Sequence, residues 1–276
     1  MNAAVRLSTT VDFTKEYAAA AERLAVAVAR SDPRAPVPGC PGWSVLDLVV
    51  HVGNVHAWAA SIVETGRAAA EQNDRPSSSR PRVVSSWYAG KAEDLYEVLR
   101  GADPAAPCWN FAFGSGTKRF WSRRQLHETT VHQVDLDRVL HKDSEIRPAV
   151  AGDGIDEVLG VFLHRMHQRG HAVTLDRPLA LVASDTGDAW VVSPRTRPDA
   201  TAPVPAQARS TGSEALPPTV AHRRTSHAAA VEDRVEGPAE VLYRLLWGRA
   251  DVDDPDVVLA GDEQRVRGFL ASRLVP

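Results

Sequence analysis

Three residues of this chain, His51, Glu128 and His132, have the types and spacing to hold a metal ion. Glu128 and His132 stand four apart in a stretch with helical period. They are therefore separated by roughly 40° around the axis and about 6 Å along it, and project toward one point. His51 lies in a strongly apolar helix, one turn after Leu48 and one before Val55, and reaches that point if the two helices pack together. Two imidazoles and one carboxylate suit a divalent cation and leave a coordination position open, which catalysis requires and a structural zinc site lacks. Spacing alone also fits a plainer reading, in which Glu128 and His132 form an exposed ion pair and His51 is a core histidine bonded to a backbone carbonyl.

Other chemistry is less well supported. His127 and Glu128 begin like a zincin motif, but His127 and His132 lie about 140° apart around a helix, which excludes a metalloprotease. His164, His167 and His171 form a second histidine run. Gly170 should end that helix before His171, and Arg165, Gln168 and Arg169 mark a solvated face. Arg123 and Arg124, one turn before Glu128, and Asp135, two turns after it, read either as surface charge or as support for a ligand and capture of a substrate carboxylate. Cys40 and Cys108 sit in no C-x-x-C pair, which excludes a four-cysteine zinc site, and read as small buried side chains. There is no P-loop, no G-x-G-x-x-G after a strand and no G-x-S-x-G elbow.

Helical period is expected at about 11–29, 44–66, 84–99, 120–140 and 154–168. Ser44 with Asp47 three residues later marks the N-cap of the second helix. Its early turns, Val45 to Val52, are apolar on nearly every side, so it should be buried, and any polar residue inside it needs a partner. The first four helices make an up-down-up-down bundle the economical arrangement. Short β-rich runs follow at 179–182 and 189–192, with Asp185-Thr186-Gly187-Asp188 as a hairpin signal. A long loop around 193–227, a strand at 228–235 and helices at 238–247 and 262–274 complete the chain. The fold class is therefore mainly α, with a helical domain over 1–172 and a smaller α+β domain over 173–276.

Composition bounds the partners. The chain has 276 residues, 43% of them hydrophobic, and 32 basic against 35 acidic residues. That balance provides no global field for nucleic acid or an anionic membrane. Met1 to Thr10 lacks the basic start and apolar run of a secretory signal, and no uninterrupted apolar stretch approaches the length of about 20 residues that crosses a bilayer. A cytoplasmic location is expected. Among the basic residues only Lys15, Lys91, Lys118 and Lys142 are lysines, a bias that fits a GC-rich genome.

The run Val37-Pro38-Gly39-Cys40-Pro41-Gly42-Trp43-Ser44, continuing through Asp47-Leu48 to His51, resembles the lead-in to the metal-binding helix of mycothiol-dependent maleylpyruvate isomerases, members of the DinB-like superfamily. Trp121, Arg123, Arg124, Glu128, Val131-His132 and Asp135 resemble the family's fourth helix. Asp185, Gly187, Trp190, the run Leu245-Leu246-Trp247-Gly248-Arg249 and Gly261-Asp262 resemble its second domain. The resemblance implies a DinB-like four-helix bundle with His51, Glu128 and His132 as zinc ligands. It also implies mycothiol as thiol cosubstrate, Trp43 and Arg124 on the cofactor side, and Arg249, Arg123 and Asp135 in support of catalysis. A thiolate favoured by zinc would add to an electrophilic small molecule such as a maleylpyruvate-like acid, giving either a cis-trans isomer or a thiol conjugate. A non-catalytic metal or small-ligand binding protein on the same scaffold is the alternative.

Overall fold

A computed structural model describes residues 11–195, 220–226, 228 and 230–276. Four long helices come first: α1 (Phe13–Arg30), α2 (Val45–Thr65), α3 (Pro81–Gly101) and α4 (Arg119–Val139). Asp12 caps α1 by accepting from the Lys15 N–H, and the apolar face behind it buries Phe13, Tyr17, Leu24 and Val28. The expected cap of α2 forms a full capping box, with Ser44 and Asp47 each accepting from the other's backbone N–H. Pro81 opens α3 in its first turn. Between α3 and α4, where the sequence reads as irregular, Pro107–Cys108 (β1) pairs with Gly116–Thr117 (β2). Among the described residues α2 alone is long and apolar enough to cross a membrane, although Asp47, His51, Asn54 and His56 interrupt its apolar run.

α1 packs on α3 and α4, and α2 packs on the same two helices. The contacts also fix direction. The Arg119 guanidinium stacks on Phe13, so α4 starts beside the start of α1. The Tyr17 hydroxyl donates to Ala92 O and the Ser85 hydroxyl to Ala25 O, so α3 runs against α1. The pairs His51–Glu128, His56–Gln125 and Trp58–Trp121 run α2 against α4. The directions are thus up-down-down-up, and the alternating order expected from sequence is corrected. The connection makes this possible: at up to about 3.3 Å per residue, residues 66–80 run back past a helix roughly 30 Å long. Only short loops force consecutive helices to be antiparallel.

The described chain divides into two compact units, one ending at Val150 and one starting at Ala151, where the sequence reading sets a boundary near 172. Helix α5 (Pro148–Glu157), a π-helical turn (Val158–Phe162) and α6 (Leu163–Gln168) replace the single helix expected over 154–168. Asp156 accepts from Trp190 Nε1, and Phe162 packs edge-on against Trp247, which ties this helical run to the second unit.

The second unit holds a five-stranded sheet in the order β5-β4-β3-β6-β7. β3 (Leu179–Ala183) and β4 (Ala189–Pro194) form the expected hairpin, with Leu181 opposite Trp190. β5 (Val220–Thr225) extends it from β4, so the two ends of the expected 193–227 loop are strand; residues 196–219 and 227 of that loop lie outside the described residues. β6 (Asp233–Gly237) lies parallel to β3, later than the strand expected at 228–235. α7 (Ala239–Leu246), β7 (Val258–Ala260) and α8 (Glu263–Leu270) follow. Asp233 is fully buried; it takes two hydrogen bonds of 2.6 Å from Arg177 and one of 2.8 Å from the backbone of Asp262, the N-cap of α8. Gly261 lets that backbone approach: its φ is +80°, and a Cβ there would sit 2.5 Å from Asp233 Oδ1 and 2.6 Å from Glu232 O.

Candidate metal centre

α2 and α4 bring the three predicted ligands together. His51 Nε2 lies 3.0 Å from Glu128 Oε1, and His132 Nε2 lies 3.4 Å from the same oxygen. One donor atom from each residue falls within 4.8 Å of the others. Two imidazole nitrogens and a carboxylate oxygen, converging from two helices, are a donor set that fits zinc or a similar borderline divalent cation. The His51 side chain is 38% exposed against 14% for Glu128 and 8% for His132, so the group opens to solvent on the His51 side.

Glu128 and His132 are each held by a further side chain. Buried Arg124 donates from Nη2 to Glu128 Oε2 at 2.8 Å, leaving Oε1 to the imidazoles. His132 Nδ1 lies 2.9 Å from Oδ2 of fully buried Asp135, the carboxylate–histidine contact that sets which ring nitrogen faces a metal. The Cys40 thiol donates to the same oxygen at 3.4 Å. Cys40 and Trp43 both come from the Pro- and Gly-rich loop before α2. There Gly42 at φ +86° and the Trp43 N–H on Cys40 O turn the chain back toward the helix. Trp43 places its ring 5.0 Å from that of His51.

Without a metal, burial pushes the Glu128 carboxyl up, but the hydrogen bonds from His132 and His51 and the Arg124 charge outweigh it. The carboxyl is held well below the usual range. Burial pushes His132 down, while Asp135, Cys40 and Glu128 together hold it well above the usual imidazole value. A divalent cation bound here would take the place of that proton, as metal sites built on histidine require.

Residues 14–137 match the family model of the mycothiol maleylpyruvate isomerase N-terminal domain. The helical unit belongs to this domain family. Beyond it, two solved structures share the fold over 90% of this chain and 91% of theirs. One is a mycothiol-dependent maleylpyruvate isomerase, at 12% identity and TM-score 0.57. The other is a histidine-to-alanine mutant of a mycothiol-dependent maleylpyruvate isomerase, at 11% and 0.55. No curated protein matches the sequence.

Every residue of the candidate centre lies within the maleylpyruvate isomerase domain. Of the supporting residues read from sequence, Asp135, Arg124 and Trp43 touch the candidate ligands, and Arg123 is half-buried on α4. Arg249 lies in the second unit just after α7, where its Nη1 donates to Trp247 O at 2.7 Å. The second histidine run does not converge. His164 meets Gln168, His171 meets Arg273, and the metal-binding groups among the described residues do not include them.

Sequence reasoning set aside Cys40, which the fold places beside Asp135; only its position in the loop before His51 hinted at this. It also passed over His56. This fully buried residue meets Gln125 Oε1 at 2.7 Å and the Tyr88 hydroxyl at 3.4 Å, and stacks edge-on to Tyr17. Here is the partner that a polar residue inside α2 requires, and burial pushes His56 down to about 4, so it is neutral.

Proposed function

We propose that this chain is a metal-dependent enzyme that uses mycothiol, acting as a cis-trans isomerase of maleylpyruvate-like acids or as an S-transferase on another small electrophile. The convergence of His51, Glu128 and His132, open on one side, within a mycothiol maleylpyruvate isomerase N-terminal domain carries this reading. His51, Glu128 and His132 would hold the ion, zinc by preference, in a DinB-like bundle. A bound divalent ion supplies the charge that favours the thiolate form of an incoming thiol at neutral pH.

The chain's own side chains do the rest. Arg124 fixes the Glu128 carboxylate, and Asp135 fixes the His132 ring with Nε2 toward the ion. Arg249 and Arg123 are assigned to the substrate carboxylate and to the enolate charge that appears when the thiolate adds to a conjugated double bond. Addition turns the cis double bond into a single bond, which rotates. Elimination of the same thiolate then returns the trans acid with thiol and proton restored. Release of the adduct before elimination gives the conjugate instead. Cys40 and Cys108, neither of them in a disulfide, suit a reducing cytoplasm.

Metal analysis of the purified protein is expected to find about one divalent ion per chain, lost in His51→Ala and in Glu128→Ala. Turnover of a panel of cis-enone acids and other electrophiles is expected with mycothiol and not with glutathione, product analysis separating isomer from conjugate. A protein with metal but no turnover of any member would be a binding protein. One without metal, indifferent to both substitutions, would sink the reading.

A further inference from the structure

A second set of donors converges among the described residues: Cys40, His132 and Asp135 each offer an atom within 4.8 Å of the others. The set shares His132 with the first centre but uses the other ring nitrogen. Nε2 lies 3.4 Å from Glu128 Oε1, whereas Nδ1 lies 2.9 Å from Asp135 Oδ2. Cys40 Sγ lies 3.4 Å from that same Asp135 oxygen. A tetrahedral ion of zinc size holds such a nitrogen–oxygen pair about 3.4 Å apart and such a sulfur–oxygen pair about 3.6 Å apart. The observed spacings are within about half an ångström of these.

The loop before α2 holds the sulfur in place. The Cys40 N–H donates to Val37 O at 3.0 Å and the Trp43 N–H to Cys40 O at 3.0 Å, while the Val37 N–H closes the loop on Trp43 O at 2.9 Å. Pro38 and Pro41 stiffen the same stretch. Asp135 and His132 are buried and Cys40 is half-buried, so the way in from solvent runs along the thiol. The donor types then select the cation. A thiolate is a soft donor and favours soft ions, whereas the two imidazoles and carboxylate of the first centre suit borderline zinc. A neutral imidazole has one free lone pair, so an ion on Nδ1 leaves the ring proton on Nε2. His51 and Glu128 are then the first centre's remaining ligands.

We propose that Cys40, His132 and Asp135 form a second metal position, for a soft divalent cation, that competes with the first centre for His132. Binding there releases the thiol proton to solvent and turns Nε2 from ligand to hydrogen-bond donor, so a soft ion switches the first centre off. The position stands on these three residues and holds whether or not the chain turns over an electrophile.

Cadmium is the probe, titrated into the full chain in metal-free and zinc-loaded forms. The sequence has two cysteines, so an ultraviolet sulfur-to-cadmium charge-transfer band has two possible sources. The band is expected in the wild type, kept in Cys108→Ser and lost in Cys40→Ser and Cys40→Ala, with circular dichroism confirming that the variants are folded. Cys108 is the control because its thiol is buried against Ile62 O. His51→Ala, which removes a ligand of the first centre alone, should leave the band at full height. In the zinc-loaded chain the band should grow as zinc is released to an indicator dye. Absence of the band in the wild type, or its survival in folded Cys40→Ser or Cys40→Ala, overturns the proposal. Its loss in His51→Ala would place the cadmium in the first centre, and growth of the band with all zinc retained would overturn the competition for His132. A protein with the band but without mycothiol turnover would keep this position and lose the proposed function.

Discussion

One oxygen of Glu128 faces two imidazoles while the other takes Arg124, so each ligand geometry depends on a neighbour. Asp135→Asn keeps the shape but loses the charge that orients His132. Its metal affinity is expected to fall about 10–100-fold, read by competition with a chromogenic chelator. His56 makes a separate prediction at this scale. Its folded value of about 4 lies below the usual 6.5, so the native state binds fewer protons than the unfolded chain across that window. Its contribution is fully present above pH 6.5 and is lost as pH falls toward 4, at up to about 1.4 kcal/mol per pH unit. Urea unfolding at pH 7 and pH 5 should show this loss in the wild type. The difference should shrink in His56→Gln, which removes the titration; an unchanged pH difference would assign it to other groups.

At the scale of elements, the caps and turns were legible because they are local. The Ser44–Asp47 capping box, the β3–β4 hairpin and the ends of α1 follow from residues within a few positions of one another. The extra strand β5 and the parallel placement of β6 were not, because each is decided by a partner strand far along the chain. Gly261 marks where such a long-range decision constrains a single position. Gly261→Ala adds left-handed strain and a clash with Glu232 O and Asp233, and is expected to cost about 2–4 kcal/mol. Chemical denaturation followed by the fluorescence of Trp190 and Trp247 should report it, while metal content should stay at the wild-type level.

For the whole molecule, the family model covers the helical unit, and the carried-over role of Arg249 belongs to the other. If Arg249 holds a substrate carboxylate, Arg249→Ala should lower turnover by about 10–100-fold, the range for a charge-assisted hydrogen bond. Metal content should be unchanged in the same preparation. A loss of metal in this variant would instead place Arg249 in support of the fold.

The sequence by itself determined the helical period, the caps and the Glu128–His132 pair, since a helix sets residues four apart on one face wherever it forms. It also marked His51 as a candidate, through its type and its place in an apolar helix. Only the tertiary structure decided that His51 meets Glu128, that α2 and α3 run in the same direction, that Cys40 meets Asp135 and that His56 meets Gln125. Those contacts join residues tens of positions apart, and packing, unlike helical period, leaves no trace in the spacing along a single chain.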